Sequence, residues 1–206
     1  MKFYLSSYKL GNHVSELKEM LAPLNKKAVY ISNALDFSSD LERRKKSETG
    51  DLEDLLVLGL EVENVDLREY FGRPKELEKK IEGCGFVFVR GGSAFVLRQA
   101  MKLSGFDEIL KKLLTRDDLI YGGYSAAGCV LAETLRGLEF VDDAQVFPYP
   151  ECQETIWDGI GIINYSFVPH YDSNHKESAA MNDVIKFMID NKIPFKALRD
   201  GEVLIF

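Results

Sequence analysis

Short apolar runs of strand length alternate along the chain with longer segments whose apolar residues recur every three or four positions. The runs are KFYLSS near the start, then KKAVYISNA, EVENVDL, GFVFVRGG, LIYGGYS, QVFP and GIINYSFVPHY, and finally FKALRDGEVLIF. Each is bounded by glycine, proline or polar residues, as strands are. Between them, residues 14–21, 39–60, 74–81, 95–101, 106–114 and 177–190 carry the one-sided apolar stripe of amphipathic helices. Strands alternating with helices predict an α/β fold: a three-layer sandwich with a largely parallel central sheet and helices on both faces. GFVFVR is apolar almost throughout, which suits a strand covered on both sides, so it is expected at the centre of the sheet. Pro194 and Gly201 frame a closing antiparallel hairpin, turning at Asp200-Gly201. No linker, repeat or low-complexity tract interrupts this order, and residues 1–206 are expected to form a single domain. The mixed-sign run DLERRKKSETGDLED reads as a solvated helix and loop.

Composition removes several classes of function. The 206 residues are 46% hydrophobic and 29% charged, enough to build a sizeable core. A formal net charge of −7 disfavours a phosphate backbone, so nucleic acid is not an expected partner. Cys84, Cys129 and Cys152 are odd in number and lack a CxxC spacing, so neither a disulfide framework nor a zinc cluster is encoded. The first residues turn polar too early for a signal peptide, and no run approaches the ~20 apolar residues of a membrane span. A cytoplasmic protein without a membrane partner is the expectation. Oligomeric state is not encoded in any visible pattern.

One stretch, YGGYSAAGC at 121–129, raises a chemical question. A strand ending at Tyr124 and a helix starting at Ala126 would leave Ser125 on a tight bend at the carboxyl edge of the sheet, where open α/β folds bind ligands. Such a bend holds a hydroxyl clear of the backbone while the following N–H groups point at the same volume. The competing reading is a serine that caps the helix, its small neighbours merely allowing close packing.

A nucleophilic serine needs a base. Of the three histidines, His13 sits at a helix start, His170 ends a strand in SFVPHYDSN, and His175 opens the next helix as a pocket-rim residue. His170 can reach the edge that carries Ser125. An acid to orient it would come from RGLEFVDDAQV, where Glu139, Asp142 and Asp143 all qualify. A second glycine pair, RGGSAF at 90–95, follows the best strand and opens a helix, so its N–H groups could complete an oxyanion hole. Phosphate-loop patterns are absent. No histidine pair stands at metal-ligand spacing, and no metal or cofactor is implied.

The order strand-RGGSAF-helix, strand-YGGYSAAG-helix, strand-VPHY resembles the peptidase E family of serine peptidases, the aspartyl dipeptidases and their relatives, whose fold is that of class I glutamine amidotransferases. The closing ALRDGEVLIF resembles that family's terminal hairpin. The resemblance implies Ser125 as nucleophile, His170 as base, and the N–H groups of Gly92 and Ala126 as oxyanion donors. Ser93 in the glycine loop and His175 at the pocket rim are expected to touch substrate. The family's triad aspartate falls on Phe140, leaving Glu139 as the nearest substitute and Asp142 as the next. The loop reads GGSA where the family has glycine-glycine-asparagine-threonine, and the elbow SAAG where it has S-A-G-A. HKESAAMND carries alanines where the aspartyl dipeptidases carry their substrate-binding arginine. The function so implied is a serine peptidase acting on short peptides through an acyl-enzyme. The alternatives are a catalytically silent binding protein of the same fold and an esterase or amidase on a non-peptide substrate. A glutamine amidotransferase fits least, since Cys129 would lie inside the helix.

Overall fold

A computed structural model describes residues 1–206. Eight strands and seven helices follow one another: β1 (Lys2–Ser6), α1 (Val14–Leu21), β2 (Lys27–Ile31), α2 (Leu41–Val57), β3 (Glu61–Asn64), α3 (Pro74–Ile81), β4 (Phe86–Val89), α4 (Ala94–Ser104), α5 (Phe106–Leu113), β5 (Ile120–Tyr124), α6 (Ala126–Cys129), β6 (Ser166–Val168), α7 (Ser178–Asp190), β7 (Phe195–Ala197) and β8 (Val203–Ile205). Six strands form the main sheet in the order β3-β2-β4-β5-β1-β8, parallel except for β8, which runs against β1. The GFVFVR strand, β4, lies inside this sheet and is buried along its whole length.

The period-two alternation of the strands divides the core. Leu5, Val29, Ile31, Val87, Val89 and Tyr121 point to one face, where α3 to α7 pack around them. Tyr4, Ala28, Tyr30, Phe86, Phe88 and Ile120 point to the other, beneath Leu17 and Leu21 of α1 and Leu55 of α2. Each fully buried aromatic or aliphatic side chain stabilises the fold by roughly 1.5–3 kcal/mol relative to exposure, so both helical layers are held by the sheet they cover. The expected three layers are therefore present. No helix is long and apolar enough to cross a membrane.

Three details differ from the sequence expectation. The segment QVFP forms no strand. The closing segment does turn at Asp200-Gly201, where the Glu202 N–H meets the Arg199 carbonyl at 3.0 Å. Its two strands then part: β8 pairs antiparallel with β1, while β7 pairs parallel with β6 in a separate two-stranded sheet. The helix after the corner is also far shorter than its apolar sequence suggests. Carbonyls that would continue it are captured by the returning chain: Val130 by the Ile160 N–H at 2.8 Å, Leu131 by Ile162 at 2.8 Å and Ala132 by Gly161 at 2.9 Å. Long-range partners satisfy those groups, and the helix stops after one turn.

Candidate active site

β5 delivers the corner. Gly122 and Gly123 lie inside it because nothing larger fits: a Cβ on Gly122 would meet the Phe86 ring at 2.5 Å, and one on Gly123 the Val89 carbonyl oxygen at 2.1 Å. The strand ends at Tyr124, and Ser125 takes φ 51° and ψ −111°, a left-handed conformation that a non-glycine residue adopts at a cost of about 1–3 kcal/mol. Its backbone holds it there. The N–H donates to the Ser6 carbonyl at 3.2 Å, and the carbonyl accepts from Gly128 and Cys129 at 2.9 and 3.1 Å. The hydroxyl does not cap α6, so the capping explanation fails, and Oγ opens onto a cavity of about 430 Å³.

Beneath the corner lies a buried polar cluster. Asp51 Oδ2 accepts from the hydroxyls of Tyr30 (2.9 Å) and Tyr124 (3.0 Å) and forms an ion pair with Arg90, whose Nε lies 2.9 Å away and donates to the Tyr124 hydroxyl, while Oδ1 pairs with Lys9 Nζ at 2.6 Å. Arg90 follows β4 and Tyr124 ends β5, so the cluster ties together the two strand ends that carry the glycine loop and the serine. Arg90-Gly91-Gly92 presses directly on the corner: a Cβ on Gly91 would lie 2.8 Å from the Tyr124 ring and 3.0 Å from Ser125 Cβ. Gly92 has φ +150°, and a Cβ there would meet the Ala34 carbonyl oxygen at 2.4 Å. The Gly92 N–H has no partner in the protein, and Ala126, as the first residue of α6, has no intrahelical one. Ser93 Oγ caps α4 by accepting from the Val96 N–H at 3.3 Å, and its side of the loop lines the same cavity.

His170 comes from the far side of β1, at the tip of β6, again with a positive φ of 59°. It is buried and lines the cavity with Ser125. Its Nδ1 lies 2.7 Å from Asp200 Oδ1, and Ser7 Oγ bridges the two residues, accepting from the His170 N–H at 2.8 Å and donating to Asp200 Oδ1 at 2.8 Å. Burial, the stronger influence, draws the imidazole pKa below its ordinary value against the opposing pull of Asp200. At neutral pH the ring is therefore mainly neutral, with Nδ1–H donated to Asp200 and the Nε2 lone pair uncommitted.

The carboxylate that contacts His170 is thus Asp200, and not one from the segment after the corner. Glu139 turns back on its own 3₁₀ turn, where it accepts from the Gly137 N–H, and it does not line the cavity. Asp142 lines the cavity but serves the glycine loop: Oδ2 accepts from the Ala94 N–H at 2.7 Å, at the first turn of α4. Burial pushes its carboxyl up to about 7. Asp143 also borders the cavity, its Oδ1 accepting from the Gln145 N–H at 2.9 Å. Sequence reasoning missed Asp200 and Ser7, because Asp-Gly reads as turn chemistry and a lone early serine carries no signal. His13 pairs with Glu16 at 3.0 Å on the exposed start of α1. Cys129 is buried with its thiol on the Phe167 carbonyl at 3.3 Å, and burial raises its pKa well above the usual thiol value.

The rim holds a further surprise. Although four residues separate them, His170 and His175 stack with ring centroids 3.7 Å apart, and Tyr8 packs against both. Ligating atoms of His170, His175 and Glu177 lie within 4.8 Å of one another, a proximity that sequence spacing did not suggest.

A parallel sheet with a serine corner, a glycine loop and a histidine at one edge defines a peptidase-E-like α/β protein, and relatives bear this out. The chain belongs to peptidase family S51, whose sequence profile matches residues 6–206. It is 27% identical to an uncharacterized peptidase of Listeria monocytogenes over 117 residues, 56% of this chain and 53% of that protein. With an uncharacterized peptidase of Listeria innocua it shares 26% identity over 88 residues, 43% of this chain and 40% of the relative. The aligned regions thus span about half the length of the curated relatives. Among solved structures, a Listeria monocytogenes protein provisionally assigned to peptidase E superposes with a TM-score of 0.72 at 18% identity, covering 100% of this chain and 97% of that one. A peptidase from an acI-B1 actinobacterium gives 0.68 at 14% identity, covering 100% and 82%. At these identities the superpositions speak for the fold.

Proposed function

We propose that this member of family S51 is a serine peptidase that hydrolyses short peptides with Ser125, His170 and Asp200 as its triad. The observation that carries the reading is the 2.7 Å contact of Asp200 with His170 Nδ1, on a histidine that shares one cavity with an uncapped, strained serine. Asp200 fixes the tautomer that leaves Nε2 free as a base and favours the imidazolium formed when the Ser125 proton arrives. Ser125 Oγ then attacks the scissile carbonyl, and the developing oxyanion is held by the N–H groups of Gly92 and Ala126, a contribution of about 10²–10³ in rate per donor. His170 passes its proton to the leaving amine, and water, activated by the same nitrogen, releases the acyl group.

A cavity of about 430 Å³ suits a ligand of a few residues. Ser93 and His175 on its walls are positioned to touch such a substrate. Three free thiols agree with a reducing cytoplasm as its location. A dipeptide-library hydrolysis screen beside a Ser125→Ala control tests the reading. Turnover in the parent protein and none in the variant is expected, and undiminished turnover by Ser125→Ala would end it. Labelling by a fluorophosphonate probe, lost in Ser125→Ala but kept in His13→Ala, separates an activated hydroxyl from a silent binding protein. Comparing amino-acid esters with the dipeptides separates a peptidase from an esterase.

A further inference from the structure

His175 and Glu177 have no task in the triad, yet they stand at its base. The rings of His170 and His175 are stacked within 9° of parallel, and Glu177 brings a carboxylate to the same place. The second nitrogen of each ring is already assigned: His170 Nδ1 to Asp200 at 2.7 Å, and His175 Nδ1 to the Glu177 N–H at 3.3 Å. Both Nε2 lone pairs are left over, beside a half-buried carboxylate whose only ion pair, with Lys176 at 3.4 Å, ends on an exposed lysine.

We propose that His170, His175 and Glu177 form a binding site for a divalent transition metal of zinc type, and that the metal inhibits by occupying His170 Nε2. Two imidazole nitrogens and one carboxylate oxygen are a zinc donor set, with a fourth position left toward the cavity. In a tetrahedral shell with metal–nitrogen bonds of about 2.0–2.1 Å, donor atoms sit about 3.3 Å apart. One ligand atom of each residue already lies within 4.8 Å of the others, and a tilt of His175 out of its stack with a turn of Glu177 would bring both Nε2 atoms and a carboxylate oxygen to that spacing. Asp200 behind His170 supplies the carboxylate that commonly orients a metal-bound imidazole. The exposed Lys176 contact that Glu177 would give up is of the kind worth 0–1 kcal/mol or so. Coordination takes the lone pair that must accept the Ser125 proton, so a metal-loaded site has no base.

Metal binding does not depend on the serine peptidase reading; only its inhibitory consequence does. The test uses the full chain, stripped with a chelator, and cobalt(II) as probe, read by its visible absorption and by calorimetry, with zinc in competition. One equivalent should bind the parent protein. Glu177→Gln and His175→Ala should each weaken binding about tenfold or more, and Asp200→Asn about 10- to 100-fold. Ser125→Ala should bind as the parent does, which keeps the site readable even if the serine proves inert. Stoichiometric zinc should slow fluorophosphonate labelling of Ser125 in the parent and leave labelling of Glu177→Gln at its metal-free rate. Absence of binding, parent-like affinity in Glu177→Gln and His175→Ala, or labelling of the parent that zinc leaves unchanged or speeds would each overturn the proposal.

Discussion

Asp200 Oδ1 lies 2.7 Å from His170 Nδ1, across 30 residues of sequence and between two different sheets. His170 is set by β6, of the small parallel pair, whereas Asp200 sits in the turn that carries the chain on to β8 of the main sheet. Asp200→Asn should therefore leave the fold intact while lowering kcat by about 10²- to 10⁴-fold, because an amide can hold the ring in the wrong tautomer. Glu139→Gln should have little effect on the same dipeptide assay. Loss of activity in Glu139→Gln and not in Asp200→Asn would reverse the assignment.

Ser7 joins the two partners and is expected to matter more than an ordinary buried serine. Ser7→Ala strips the His170 N–H of its acceptor and Asp200 of a donor. Leaving a buried N–H unsatisfied costs about 1–3 kcal/mol, so urea denaturation should show a loss of that size. The rate of fluorophosphonate labelling should fall alongside it, and an unchanged rate would mean that Ser7 supports the fold alone.

Gly92→Ala tests the glycine loop. The added methyl meets the Ala34 carbonyl oxygen at 2.4 Å and occupies a backbone conformation that favours glycine. The loop must shift, and with it the N–H assigned to the oxyanion. A fall in kcat of about 10²-fold or more is expected, with dipeptide KM less affected. Circular dichroism of the variant distinguishes this from unfolding.

Asp142 gives a pH signature in stability. Its carboxyl is pushed up to about 7 in the folded chain by burial, while the unfolded chain titrates near the ordinary aspartate value of about 3.9. Between those values the unfolded state loses its proton first, so this group's contribution is present at low pH and lost as pH rises toward 7. Asp142→Asn, whose amide oxygen can still accept from Ala94, should raise the melting temperature relative to the parent at pH 8 and change it little at pH 4. An equal shift at both values would refute the perturbed carboxyl.

The parts of this site legible in the sequence are those with local causes. Ser125 is visible because a strand turning sharply into a helix tolerates only glycine and alanine around it, and His170 because proline and a polar loop mark a strand tip. The buried run Phe86–Val89 announces a covered strand in the same way. What could not be read depends on contacts between distant segments. Asp200 looks like half of a turn until β8 is seen to leave β7 and run beside β1. The arrest of α6 after Cys129 comes from N–H groups some thirty residues onward, and the stacking of His175 on His170 from a loop with positive φ at Asp172. Asp142 was recognisable as a carboxylate near the serine, but its bond to Ala94 follows from where α4 begins.

Because Ser7 and Asp200 both brace His170, the orientation of this imidazole joins the loop after β1 to the turn before β8. During synthesis a protein with its serine corner already formed would have no oriented imidazole until the residues around Asp200 had joined the first strand. With the triad proposed above, activation of the Ser125 hydroxyl would wait on the docking of the segment that carries Asp200.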